Sequence, residues 1–166
     1  MVALLSRLGN ILKGSDGNVN IMGALSIRVI RKDGTIKDKG VVSRGKVTTV
    51  FVNKLVDGLQ AAAYINTWKY HDSGIGIGAE SSGDTTLGTP CGDARDTGTQ
   101  IEGGSAWIYK SVATHTYTAT KAITEHGVFD AATVGTLMDR HVFSAINVNS
   151  GDKIEFTYEL TCNAEA

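Results

Sequence analysis

The stretch from Lys153 to Asn163, KIEFTYELTCN, places Ile154, Phe156, Tyr158 and Leu160 on one side and Glu155, Thr157 and Glu159 on the other. Side chains alternate between faces in an extended strand, so this segment is a strand with one apolar face that a second layer must cover. The same period runs through GALSIRVI, where Leu25, Ile27 and Val29 share a face opposite Ser26, Arg28 and Ile30, and it resumes after Asp33-Gly34. Asp-Gly between two alternating runs is a hairpin signal, because glycine takes the left-handed turn position without steric cost. Short β-branched and aromatic runs also occupy AAYINTWKYHDSG, GGSAWIYKSVATHTYTATKAITEHGVFD and DRHVFSAINV, the last joining the 153–163 strand through Asn149-Ser150-Gly151-Asp152. The lone proline, Pro90, leaves these runs unbroken. The expected fold class is mainly β, an antiparallel β-sandwich or jelly roll.

Two segments carry a helical period. In KVTTVFVNKLVDGL the β-branched content would suit a strand, but Val47, Val50, Phe51, Lys54 and Leu55 ahead of Gly58 predict a short helix. The opening MVALLSRLGNILKG repeats Leu4, Leu5, Leu8, Ile11 and Leu12 at helical spacing and stops at Gly14. So short an amphipathic helix is marginal alone in water and must dock, on its own domain, a neighbouring subunit or a membrane surface. Ser15 to Asn20 is a Gly/Asp/Asn-rich linker. The expected organisation is therefore an N-terminal arm and linker over residues 1–20, not ordered before assembly, and a single β-rich domain over 21–166.

Charge and composition restrict the function classes. The formal net charge is −1, yet residues 1–57 hold ten Lys/Arg against four Asp/Glu and residues 58–166 hold six against thirteen. Either solvated charges have segregated, or the N-terminal part faces a negatively charged partner surface. Arg28, Arg31, Lys32, Lys37 and Lys39 cluster around the hairpin, but no aromatic side chain interleaves them for base stacking, so no specific nucleic-acid partner is expected. No apolar run reaches the roughly 20 residues of a membrane span, and Arg7 interrupts the apolar N-terminus, with no small-residue cleavage site after it. Cys91 and Cys162 are too far apart for a zinc knuckle or a redox pair; two free thiols are expected, with no metal and no cofactor.

The run SGIGIGAESSGDTTLGTP over residues 73–90 invites a phosphate-cradle reading. Such a cradle needs a helix N-terminus after the glycines, whose free N–H groups hold the anion. AESSGDTTLGTPCGDARDTGTQ has no helical period, so the run is expected to be a surface loop, with Ile75 and Ile77 continuing the preceding strand and the glycines admitting another backbone. His71, His115, His126 and His141 lack partners at metal-ligand spacing and are expected to be hydrogen-bonded structural residues. A hydrolase could use some of Asp72, Asp84, Glu125 and Asp130, provided folding brings two carboxylates within roughly 5–10 Å. No Gly-x-Ser-x-Gly elbow is present.

From Tyr70 to Thr161 the succession YHDSGIGIGAESSGDTTLGTPCG and TGTQIEGGSAWIYKSVATHTYTATKAITEHGVFDAATVGTLMDRHVFSAINVNSGDKIEFTYELT resembles a group of tailed-bacteriophage virion proteins. These share an HDxGxGxxAExxGDTxL stretch and an ITEHGxF…LxDRxVFSxIxVxSGDxIxFTYxLT ending, and the resemblance covers more than half of the chain. It implies a β-rich virion component and not an enzyme, with no catalytic residues to carry over. The expectation is a capsid decoration, or cement, protein on the capsid surface of the virion rather than on the tail. Its partners would be the major capsid protein and further copies of itself, a trimer being favoured. The candidate partner-contact residues are Leu4, Leu5, Leu8, Ile11, Leu12, Arg28, Arg31 and Lys32. The alternative is a tail or head fibre module for host attachment, in which Trp68 and Trp107 would stack on sugars unless both belong to the core.

Overall fold

The computed structural model describes residues 20–60 and 66–163. The expected N-terminal helix, with Leu4, Leu5, Leu8, Ile11 and Leu12, lies outside the described residues. In chain order the elements are β1 (Asn20–Ile30), β2 (Ile36–Ser43), β3 (Lys46–Val47), α1 (Thr49–Leu59), β4 (Tyr70–Gly74), β5 (Asp96–Thr97), β6 (Thr99–Glu102), β7 (Ile108–Thr116), β8 (Lys121–Phe129), β9 (Leu137–Val148) and β10 (Lys153–Asn163). The strands form two five-stranded antiparallel sheets, β2-β1-β10-β7-β6 and β3-β9-β8-β4-β5. The fold is mainly β, with the two-sheet organisation of a β-sandwich.

The alternating residues meet between the sheets. Leu25, Ile27 and Val29 of β1 and Ile154 and Phe156 of β10 pack against Ile123, Phe143, Ile146 and Val148 of the opposite sheet. Each such side chain contributes about 1.5–3 kcal/mol when taken fully out of water. A second cluster joins Tyr158 and Leu160 to Val128, Met138, Trp68 and the helical Phe51. The helix predicted over this stretch is capped by Thr48, whose hydroxyl accepts the Phe51 N–H at 3.3 Å, while Lys46 and Val47, read as its start, pair with β9 as strand β3 instead. It passes through Gly58 and ends one residue later, at Leu59, so Gly58 is not its stop.

A third cluster, Leu87, Phe129 and Leu137 with Tyr70, brings the loop residue Leu87 against β8 and β9. Most of β8 is buried without alternation, because the loop after β4 covers the face turned away from the opposite sheet. Ile75 and Ile77 do not continue the strand as expected: β4 ends at Gly74, and both isoleucines are exposed. Two short strands, β5 and β6, form where the sequence reads as loop. They sit at sheet edges, where a short strand offers little unpaired backbone to a stray chain.

The Asp33-Gly34 hairpin forms as expected, with Gly34 at φ +87°. Asp152, nearly fully buried, clasps it to the β9–β10 turn: Oδ1 accepts the Lys32 N–H at 2.8 Å, and Oδ2 accepts Arg31 Nη1 at 2.8 Å and the Asn149 N–H at 2.9 Å. These donors, the Asn149 N–H foremost, hold the Asp152 carboxyl below the usual carboxylate range. Asp152→Ala is expected to lower the urea midpoint more than Arg31→Ala, since it removes all three bonds of the clasp where Arg31→Ala removes one of them and an exposed contact to the Asn147 carbonyl; the reverse order in equilibrium unfolding would refute the clasp.

Candidate functional site

Buried polar residues form two layers, one on each face of the second sheet. Facing the first sheet, His71 of β4 and His126 of β8 bring Nδ1 and Nε2 to 2.9 Å, and His71 Nε2 lies 2.8 Å from Ser111 Oγ on β7. Each of these contacts holds one proton, which a chain of neutral imidazoles and a hydroxyl supplies. His126 stacks on Phe156 at 4.4 Å between centroids, and His141 of β9, paired with His126 in register, meets Tyr158 edge-on at 5.6 Å. Tyr158 donates to Asp139 Oδ2 at 3.1 Å. Burial holds His71 at about 3, and burial with the neighbouring His71 and His141 drives His126 well below the ordinary histidine range. The expectation of hydrogen-bonded structural histidines is met by His71 and His126 but not by His141, which is fully buried and whose ring nitrogens make no hydrogen bond among the described residues.

On the opposite face, a register shift between Ile123 and Glu125 turns both Thr124 and Glu125 toward the glycine-rich loop. The Glu125 carboxylate accepts three backbone N–H groups, from Gly76 at 2.9 Å, Gly88 at 2.9 Å and Thr89 at 2.7 Å. Arg140 of β9 completes its shell, with Nε and Nη2 each 2.8 Å from Oε2. Burial pushes the Glu125 carboxyl up, but these donors outweigh it and leave the group below its ordinary range. Arg140 also reaches Asp84 at 3.0 Å and the carbonyl of Gly78 at 3.2 Å. The glycine run does cradle an anion: it is the protein's own carboxylate, held by loop amides without a helix N-terminus. At Gly74 and Gly76 a Cβ would lie 2.5 and 2.4 Å from Glu125 Oε1, whereas one at Gly78 would meet nothing within 4 Å.

Comparison of the chain with family models, with curated proteins and with solved structures finds no match.

Of the four carboxylates weighed for hydrolysis, Glu125 and Asp84 share Arg140, Asp72 pairs with Arg95 at 3.2 Å, and Asp130 accepts the Thr136 N–H at 2.7 Å. Burial outweighs Arg95 at Asp72 and raises its carboxyl above the ordinary range. Trp68 is buried, with its ring 4.9 Å from that of Phe51, whereas Trp107 is 57% exposed. The fold thus separates the two tryptophans that sequence reading treated together.

The three basic partner-contact candidates lie on or beside the first sheet. Arg28 pairs with Glu155 directly across from it, at 2.8 Å on the outer face, and Lys110 pairs with Glu159 in the same manner at 3.7 Å. Arg31 is drawn onto Asp152 and the Asn147 carbonyl, and Lys32 enters the clasp through its backbone.

Sequence reading missed Arg140 and Arg95. A charged residue within an otherwise buried strand requires a counterion, so Arg140 opposite the TEHG strand was the available signal. It also missed that Cys91, Asp93 and His115 converge beside β7, the one group of metal-ligating side-chain types that meets among the described residues. The Cys91 and Cys162 thiols are free, as expected.

Two outcomes follow from these layers. Gly76→Ala is expected to cost about 1–3 kcal/mol, the range for overpacking a filled site, while Gly78→Ala changes stability by under about 0.5 kcal/mol; equal effects in chemical denaturation would refute the cradle. Histidines that stay neutral in the fold but titrate near 6.5 in the unfolded chain stabilise fully above that pH. The unfolded chain alone takes up their protons as pH falls toward the depressed native values. His71 and His126 are each expected to remove about 1.4 kcal/mol of stability per pH unit between about pH 6 and pH 4.5, and a flat profile there would refute their neutrality.

Proposed function

We propose that this protein is a bacteriophage capsid decoration protein. It binds the outer face of the assembled shell as a symmetric oligomer, a trimer being favoured, and bridges neighbouring capsomers of the major capsid protein against internal DNA pressure. The observation that carries the reading is where the shared motif residues sit. His71 and Asp72 of HDSG, Asp84 of GDT, Glu125 and His126 of TEHG, and Asp139 and Arg140 of LMDR are spent on holding the two sheets and the loop together. A motif used in this way serves a building block, whose work is done by its surface.

Cement action needs only modest contacts repeated by symmetry. A specific interface of about 800 Å² per partner suffices, and copies around a symmetry axis multiply it. The outer face of the first sheet suits such a role. Its Arg28–Glu155 and Lys110–Glu159 pairs alternate the sign of charge across adjacent strands, a pattern that selects register and partner more than it adds affinity. The N-terminal arm, with Leu4, Leu5, Leu8, Ile11 and Leu12, would extend the contact onto a neighbour.

A second reading, a tail or fibre module for host attachment, rests on Trp107, an exposed indole of the type that stacks on sugars. A cryo-EM difference map of particles with and without the protein separates the two. Density repeated over the head at lattice positions is the expected result. Density confined to the tail or to one vertex would overturn the decoration reading and make Trp107→Ala, assayed by binding to host cells, the next test.

A further inference from the structure

Beside the outer end of β7, Cys91 Sγ, Asp93 Oδ2 and His115 Nε2 face one another. Sγ lies 3.6 Å from Oδ2 and 3.9 Å from Nε2, and Oδ2 lies 3.7 Å from Nε2. The centre of a near-equilateral triangle with sides of about 3.7 Å is about 2.2 Å from each corner, which falls within the 2.0–2.3 Å range of zinc bonds to oxygen, nitrogen and sulfur.

The imidazole supplies the second observation. His115 is only 2% exposed, yet its Nε2 has no hydrogen bond to nitrogen or oxygen among the described residues. Its Nδ1 sits 2.5 Å from Asp96 Oδ2, and its Nε2 faces the thiol and the Asp93 carboxylate. Buried polar atoms are nearly always satisfied, so a buried imidazole aimed at a thiol and a carboxylate calls for an explanation. A carboxylate against the far nitrogen of a histidine is also the arrangement that turns the near nitrogen toward a metal.

We propose that Cys91, Asp93 and His115 form a binding site for a thiophilic divalent cation, zinc being the best match to its one sulfur, one oxygen and one nitrogen. Asp96 positions His115, and the fourth coordination position is left to water or to a group from a docked partner. On binding, the Cys91 thiol releases its proton to solvent and the thiolate donates to the metal; no redox change is involved. Lys121 competes for the same charge, with Nζ 2.7 Å from Asp93 Oδ2 and 2.6 Å from the Cys91 carbonyl. In the metal-free protein Lys121, with Thr118, outweighs the upward push of burial and holds Asp93 ionised, with its carboxyl at about 2. The ion would tie the loop after Pro90 to β7.

Titration of the full chain with Co²⁺, a spectroscopic substitute for zinc, tests the site. The expected result is one equivalent bound with a thiolate-to-cobalt charge-transfer band, reversed by adding Zn²⁺. Cys91→Ser abolishes the band and Cys162→Ser keeps it. Asp96→Asn, which alters only the positioning carboxylate, weakens binding about 10- to 100-fold, and Lys121→Met tightens it. Should Cys91→Ser fail to fold, Asp93→Asn serves in its place, with a loss of more than about tenfold expected. Absence of the band in the wild-type protein, a band that survives Cys91→Ser or vanishes in Cys162→Ser, or an affinity indifferent to both Asp93→Asn and Asp96→Asn would overturn the proposal.

Discussion

The Glu125–Arg140 pair is the interaction on which the outer half of the molecule depends. Moving a carboxylate and a guanidinium out of water costs several kcal/mol per ion, and attraction between the two offsets that only when the remaining lone pairs and protons are also satisfied. Here the excursion between β4 and β5 satisfies them: three of its amides point at Glu125, and the Gly78 carbonyl and Asp84 accept from Arg140. The dependence runs both ways. The excursion contributes Leu87 to the core but little other apolar surface, so it is held mainly by polar anchors, namely the ion pair, Glu80 on the Val142 N–H and Arg95 on Asp72; without the excursion the ion pair is left uncompensated.

The adjacent residue faces the other way. Glu125 meets the loop and His126 meets Phe156 across the sandwich, so two polar neighbours on one strand are each satisfied on a different face. A slip of one residue would send the carboxylate among apolar side chains and the imidazole among the loop amides, so the register of β8 is specified from both sides. The apolar alternation of β1 and β10 then needs only to supply burial. Uniqueness comes from the polar pairs, since hydrophobic packing alone tolerates many rearrangements.

The strands and the helix were legible because their signals are local. Ile154 to Leu160 and Leu25 to Val29 carry period two over a long enough stretch to exclude a helix, and Val50 to Leu55 keep helical spacing despite their β-branched residues. The helix prevails there because Thr48 caps it and because Phe51 finds Trp68 and Met138. What escaped reading depends on distant partners. The glycine loop takes its form from Glu125, some fifty residues on, and Ile75 and Ile77 look like strand continuation only while that carboxylate is ignored. The two-residue β5 has no period to detect and exists because β4 offers it an edge. His71 and His126 were legible as structural residues but not as partners, since they become neighbours only after β4 pairs with β8.

The motif residues lie inside while the charge ladder of Arg28, Glu155, Lys110 and Glu159 lies outside. The two sets therefore answer to different constraints. A change at Gly76, Glu125 or Arg140 must be matched by its interior partners or the fold loosens, whereas the outer ladder can be rewritten pair by pair with little effect on stability, as exposed ion pairs generally can. Two chains built on this plan could share every one of these interior residues and still present different outer faces, so what holds the fold together and what its surface offers can change separately.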